Sequence, residues 1–346
     1  MRSGCYTALV TPFTADGTQV DREALQRLAA FQMENEITGL LAVGTTGESP
    51  TLDWKEHHAV AEIVSRQAKG KCLCIAGTGS NNTSEALAAT AHAAQEGADA
   101  VLLVDPYYNG PSSLEIRREY VAPIAAAFPD LEIIPYVIPG RTGAKLLPED
   151  LAILNKTYPN VATVKEATGD LQNMRRTREC CGPDFTIMSG DDGLAFEMMT
   201  DRGINAAGVI SVVSNVAPKA MAGLVRRLKA GDKAGAAALQ NAVAPLFGLV
   251  TVTTQEKTPY GDVSCRARNP LAIKTFMALL GMPVGPCRRP LGKMTRKGLD
   301  AVLAIGRQVQ SNNPEILQPV AEYFNVDINA RLDNPEYQKG LCYESY

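Results

Sequence analysis

Over about the first 230 of its 346 residues, the chain alternates eight short runs of β-branched and aliphatic residues with longer Ala/Leu-rich stretches. Strands are expected at Tyr6–Val10, Gly39–Val43, Cys72–Ala76, Ala100–Val104, Glu132–Tyr136, Val161–Lys165, Thr186–Ser189 and Ala207–Ser211. Between them, segments such as DREALQRLAAFQMEN, SEALAATAHAAQEGA and PEDLAILNKTY repeat apolar residues at three- and four-residue spacing, the period of an amphipathic helix. Asp21 ahead of the first helix, and Gly97 and Gly203 behind two others, supply start and stop signals. Eight strand–helix units is the count of a (β/α)8 TIM barrel. A doubly wound open sheet competes, because alternation alone does not report closure. The reading is an α/β chain with a catalytic barrel over 1–230, a C-terminal helical domain over 231–305 and a C-terminal extension over 306–346. The helical domain holds AGAAALQNAVAPLFGLV and PLAIKTFMALLG, separated by the polar stretch TTQEKTPYGDVSCRARN, and the extension reads as a polar tail with scattered aromatics.

Composition removes several classes of function. A hydrophobic fraction of 45% with a net charge of −3 is too apolar and too weakly charged for a disordered chain. No run approaches the ~18 consecutive apolar residues of a membrane span, and MRSGCYTALVTPF lacks the basic-then-apolar order of a secretory signal. Without a basic run, neither nucleic acid nor an anionic membrane is an expected partner. Eight scattered cysteines without a C-x-x-C pair fit reduced thiols in a cytoplasmic protein. Only His57, His58 and His92 are present, with no H-x-x-x-H spacing, so no catalytic metal is expected.

In a barrel the residues just past the C-terminal ends of the strands form the active face. Unusual polar groups collect there: Gly44-Thr45-Thr46-Gly47-Glu48-Ser49, Asp105-Pro106-Tyr107-Tyr108-Asn109, Tyr136 with Pro139-Gly140-Arg141-Thr142-Gly143, Lys165-Glu166-Ala167-Thr168-Gly169-Asp170, and Ser189-Gly190-Asp191-Asp192-Gly193. Lys165 closes a strand, and an amine desolvated at that place attacks a carbonyl as a neutral nucleophile. A lysine paired with Glu166 or a rim aspartate is the alternative, as a plain buried hydrogen-bonded tyrosine is for Tyr136 and Tyr108. Asp191 and Asp192, two adjacent carboxylates, are a weak metal signal. Gly77-Thr78-Gly79-Ser80-Asn81-Asn82 lacks the third glycine of a dinucleotide fingerprint.

The set GTTGES, DPYYN, YVIPGRTG, VKEATGD, SGDDG and GVISVVSNVAP, with RNPLAIKTFMALLG later, resembles the dihydrodipicolinate synthase/N-acetylneuraminate lyase family of class I pyruvate-dependent aldolases, from Gly4 to about Ala304. The resemblance implies a (β/α)8 barrel with a helical C-terminal domain, a homotetramer, and no cofactor beyond a covalent imine. By position, Lys165 matches the imine-forming lysine and Tyr136 the proton-relaying tyrosine. Thr45 matches the threonine that links Tyr136 to a second tyrosine, Tyr108 here, which the neighbouring subunit donates in the family. Thr46 matches the element holding the pyruvate carboxylate, and Gly190 and Ile210 match positions lining the keto-acid pocket. Arg141 matches the arginine that, in the synthases, grips the carboxylate of L-aspartate-4-semialdehyde, and that sialic acid lyases lack at that place. The implied activity is condensation of pyruvate with this aldehyde to 4-hydroxy-tetrahydrodipicolinate, on the way to diaminopimelate and lysine. A pyruvate aldolase acting on a sugar-derived compound, and a non-catalytic binding protein on the same scaffold, are the rivals.

Ser49, Pro50, Trp54, His57, Asn81, Glu85 and Tyr107 match positions of the allosteric L-lysine site of feedback-sensitive family members. Three departures stand out. Val137 replaces the usual asparagine after the strand-five tyrosine, with an expected effect on the pocket wall. The Thr254–Arg268 segment and the tail past about Ile305 exceed the usual family length.

Overall fold

The computed structural model describes residues 1–346 and closes the eight strands into a barrel. The strands are β1 (Gly4–Ala8), β2 (Gly39–Ala42), β3 (Leu73–Gly77), β4 (Ala100–Val104), β5 (Glu132–Val137), β6 (Thr163–Glu166), β7 (Thr186–Ser189) and β8 (Gly208–Ser211). Neighbours in sequence pair in parallel all the way round, and β8 returns to β1 through Gly4↔Gly208 and Tyr6↔Ile210. That last pairing excludes the open doubly wound sheet. At the seam a Cβ on Gly208 would sit 1.8 Å from the Gly4 carbonyl oxygen, so only glycine lets the two strands meet.

Strand periodicity sorts side chains into two cores. Tyr6, Ala8, Leu41, Ile75, Ala100, Leu102, Ile134, Tyr136, Met188 and Ile210 fill the barrel interior. Their neighbours one position away, Cys5, Leu40, Ile133, Val137, Ile187 and Val209 among them, point outward into the larger core between barrel and helices. Val137 is therefore packed against the helical layer. The expectation that it reshapes the pocket wall is corrected by this alternation: the side chain next to Tyr136 must leave the opposite face of the sheet.

Helix starts follow the local chemistry. The Asp21 carboxylate accepts from Ala24 N at the head of Arg22–Glu34, and Asp53 with Glu56 forms a reciprocal capping box on Trp54–Ala68. Each such cap contributes about 1 kcal/mol. Helices Pro218–Lys229, Lys233–Phe247, Leu271–Leu279 and Arg296–Asn312 carry the chain beyond the barrel, the last of them running through position 305. No helix is long and apolar enough to cross a membrane.

Two regions differ from the sequence expectations. The polar stretch between helices is a regular antiparallel hairpin of β9 (Thr251–Thr258) and β10 (Gly261–Arg268), paired from Gly261↔Thr258 to Arg268↔Thr251. Its apolar alternation is weak because it is mostly exposed; Val252 is one of its few buried residues. The tail is also structured. Helices Gln318–Phe324 and Ile328–Asp333 bury Val320, Phe324, Ile328 and Leu332 in the main core, and the Phe324 ring packs tilted against Phe31 of the first barrel helix, centroids 5.2 Å apart. Arg331 Nε and Nη2 donate to the carbonyls of Leu279 (2.7 Å) and Ala278 (2.8 Å), tying the tail to the C-terminal end of Leu271–Leu279, where Ala278 also accepts from Gly281 N.

Candidate active site

The strand ends surround a cavity of ≈ 200 Å³ whose walls include Thr45, Ser49, Tyr107, Tyr136, Arg141 and Thr142, with Leu102, Val104 and Ile138 as apolar lining. Lys165 lies behind Tyr136. Register places them side by side, Tyr136↔Lys165 across β5 and β6, and the lysine Nζ sits 4.1 Å from the centre of the tyrosine ring. Lys165 is 5% exposed and forms no ion pair, in contrast to the equally buried Lys274. The alternative of a lysine held by Glu166 falls here, since adjacent strand residues face opposite ways. Glu166 turns outward and accepts from Thr168 and from Asn173 Nδ2.

Burial pulls the Lys165 ammonium down from 10.5 to about 7; Asp192 opposes the shift and Arg141 adds to it. Asp192 is itself buried and pushed up to about 6 by that burial, with the backbone N–H groups of Val212 (2.9 Å) and Val213 (3.0 Å) donating to its Oδ2. Its other oxygen has no partner. Tyr136 is raised to about 12 by burial, with Arg141 and the Thr45 hydroxyl pulling it back. Gly190 leaves room for the lysine stem: a Cβ there would lie 3.2 Å from Lys165 Cε and 2.7 Å from the Ala167 Cβ. Ile210, 1% exposed, completes the floor of the barrel interior.

Thr46 is buried, and its hydroxyl accepts from Asn269 Nδ2 at 2.9 Å. The Asn269 carbonyl accepts from Arg141 Nη2 at 3.0 Å. One residue at the end of β10 thus orients both groups read as carboxylate binders. Sequence reasoning missed Asn269 and Asp192 in these positions. Their signal was their place inside quoted motifs, SGDDG and RNPLAIKTFMALLG, but neither lies next in sequence to the groups it touches.

Tyr108 is not brought to Lys165. Its ring is 86% exposed, while the adjacent Tyr107 lines the cavity. Of the positions matched to a lysine site, three line this cavity and the others make local contacts. Ser49, Pro50 and Tyr107 share the cavity wall, Tyr107 N donates to Asn81 Oδ1 (2.6 Å), and Ser80 Oγ donates to Glu85 Oε2 (2.6 Å). Trp54 lies 4.9 Å from the His57 ring. Both His57 nitrogens are buried without partners, and burial lowers that imidazole to about 4, so it is neutral. Asp191 accepts from Gly193 N within its own turn. The cluster of metal-type ligands in mutual reach is elsewhere, Glu62 with His92 and Glu96, and Arg66 already pairs with both carboxylates.

The profile of the Dihydrodipicolinate synthetase family matches residues 1–308. The 4-hydroxy-tetrahydrodipicolinate synthase of Pelobacter propionicus is 40% identical over 306 residues, covering 88% of this chain and 98% of that protein. Among solved structures, the enzyme of Cyanidioschyzon merolae with lysine bound superposes with a TM-score of 0.80 at 35% identity, covering 89% of this chain and 97% of the other. The dihydrodipicolinate synthase of Acinetobacter baumannii complexed with pyruvate gives 0.80 at 34% identity, covering 89% and 99%. With a closed barrel and a buried unpaired lysine at its mouth, this chain belongs to the dihydrodipicolinate synthetase family.

Proposed function

We propose that the chain is a lyase that condenses pyruvate with L-aspartate-4-semialdehyde to 4-hydroxy-tetrahydrodipicolinate through an imine on Lys165. The observation that carries this is Lys165 itself, buried, unpaired and drawn down to about 7, with Tyr136 against it and Arg141 at the same cavity. At neutral pH a large fraction of that amine is the nucleophilic free base. It adds to the keto carbon of pyruvate and water leaves. Several protons move in these steps, and the Tyr136 phenol passes them without a fixed charge, oriented by Thr45. Loss of a methyl proton gives the enamine, whose carbon bonds to the aldehyde carbon while the aldehyde oxygen takes up a proton. The substrate amino group then attacks the imine carbon and releases Lys165 as the free amine. No electrons are gained or lost overall, so the scheme calls for no redox cofactor.

Thr46 and its turn hold the pyruvate carboxylate in this reading, and Arg141 holds that of the aldehyde through parallel charge-assisted hydrogen bonds. Tyr108, exposed in the single chain, serves the site of a neighbouring subunit in a homo-oligomer, read as a tetramer. The test is pyruvate-dependent consumption of L-aspartate-4-semialdehyde, coupled to the next reductase. Arg141→Gln is expected to lower kcat/KM for the aldehyde by roughly 100-fold, while pyruvate still forms a borohydride-trapped adduct. No turnover with an adduct still forming sends the search to other aldehydes.

The positions matched to an effector site are read as one for L-lysine, supported by the lysine-bound neighbour. Glu85 receives the ammonium, Tyr107 the carboxylate, and Trp54 covers the aliphatic stem. L-lysine is expected to inhibit the wild type, with Glu85→Ala relieving the inhibition. Activity that stays flat up to millimolar lysine removes this part of the reading.

A further inference from the structure

The β9–β10 hairpin belongs to a segment longer than the family pattern, and the end of its second strand lies beside Arg141, which lines the active-site cavity. Arg266 and Arg268 are two apart on one strand, so they share a face of the hairpin. Two crossed hydrogen bonds join that strand end to the helix Pro139–Thr142. Arg268 Nη2 donates to the Gly140 carbonyl (3.2 Å), and Arg141, the residue after Gly140, donates to the carbonyl of Asn269, the residue after Arg268 (3.0 Å). The two guanidiniums are thereby fixed as neighbours. After burial, Arg268 is the largest influence depressing Arg141, with Arg266 adding to it.

No carboxylate forms an ion pair with them. Arg117, Arg175 and Arg288 each pair with a carboxylate, whereas Arg141, Arg266 and Arg268 form no ion pair. Arg268 Nε is buried with no acceptor. A buried N–H without a partner is uncommon in a folded protein. Like charges gathered without a counter-charge, one with an open donor, describe a receptor for an anion. We propose that Arg268 is a specificity-determining residue that, with Arg141, clamps a carboxylate of the aldehyde substrate. A carboxylate accepts up to about four hydrogen bonds, enough for two guanidiniums. This rests on the reading of the site as one for a carboxylate-bearing aldehyde. It goes beyond it in assigning the hairpin a role in substrate choice.

The test compares wild type with Arg268→Gln and Arg268→Lys in steady-state kinetics. Arg268→Gln is expected to raise KM for L-aspartate-4-semialdehyde roughly 10- to 100-fold, the range of one charge-assisted contact. KM for pyruvate and the trapped pyruvate adduct should stay unchanged, and Arg268→Lys should recover part of the loss. A purely structural hairpin residue would move kcat and both KM values together. An unchanged KM for the aldehyde in a folded Arg268→Gln enzyme overturns the proposal while leaving the condensation intact. If wild type does not turn over this aldehyde, calorimetric titration with succinate decides. Weaker succinate binding in Arg268→Gln supports the clamp; equal binding overturns it. Should the glutamine variant not fold, the same comparison is read from Arg268→Lys, whose compact ammonium cannot reproduce the planar fork.

Discussion

Lys165→Met is expected to abolish turnover, by at least ~10⁴-fold, and at the same time to make the protein more stable. Both effects come from one fact, that the lysine is buried without a counter-ion. With the amine gone, no imine forms, and borohydride reduction in the presence of pyruvate should label wild type but not the variant. The stability gain follows from proton linkage. The folded state holds the Lys165 proton only up to about pH 7 and an unstructured lysine up to 10.5, so between these values the unfolded chain binds more protons. Stability of the wild type therefore falls as pH drops from about 10.5 to about 7, and the loss is complete below that. Met has no proton to lose and fits the same narrow volume. The expected gain is on the order of 3–5 kcal/mol below pH 7, shrinking to nothing above about 10.5. Denaturant unfolding of both proteins at pH 6 and pH 10 checks it. A difference independent of pH would mean that Lys165 is not the desolvated base described here. In activity, the same titration predicts kcat/KM for pyruvate rising through pH 7 and levelling off above it.

The barrel was legible in the sequence because a parallel strand buried on both faces must be an uninterrupted apolar run. Ala100–Val104 reads with its observed bounds for that reason. Strand ends were less sharp, as at β1, where the pairing begins at Gly4 and ends at Ala8. Lys165 and Tyr136 were legible as polar residues closing apolar runs. What escaped was set by partners distant in the chain. The hairpin carries few buried side chains, so its period is hidden among Thr, Gln and Lys. The tail's apolar residues, Val320, Phe324, Ile328 and Leu332, are spaced four apart, but the polar residues between them mask a helical stripe that only docking on Phe31 and Leu279 reveals. Asn269 touches Thr46 across 223 positions of sequence, and no local pattern announces such a contact.

One long-range anchor of the site is an ion pair, and breaking one half of it should be a heavily damaging change to stability. Lys274 of helix Leu271–Leu279 donates to Glu48 Oε1 at 2.7 Å, and the two side chains are 1% and 0% exposed. Both carry further contacts. Lys274 Nζ also donates to the Thr11 carbonyl (2.9 Å) and lies 4.2 Å over the Phe13 ring, while Glu48 Oε2 accepts from Arg288 N (2.8 Å). Glu48 sits in the turn that carries Thr45 and Thr46, with a positive φ of 57° that a glutamate adopts only when its surroundings hold it. Lys274→Met leaves the Glu48 carboxylate buried among apolar groups with a single backbone donor. The expected loss is about 3–5 kcal/mol, together with a fall in kcat as the turn relaxes and Thr45 leaves Tyr136. The double variant Lys274→Met/Glu48→Gln keeps the shape and removes the orphaned charge, so most of the stability should return. The pair's net contribution is small even though removing one partner is costly. If Lys274→Met alone costs under ~1 kcal/mol in urea unfolding, against the range for an orphaned buried charge, the helix beyond the barrel does not hold the turn. Recovery of stability in the double variant without recovery of kcat would show that the pair fixes the Thr45 geometry as well as the fold, because the neutral glutamine satisfies burial but no longer pulls the turn toward Lys274.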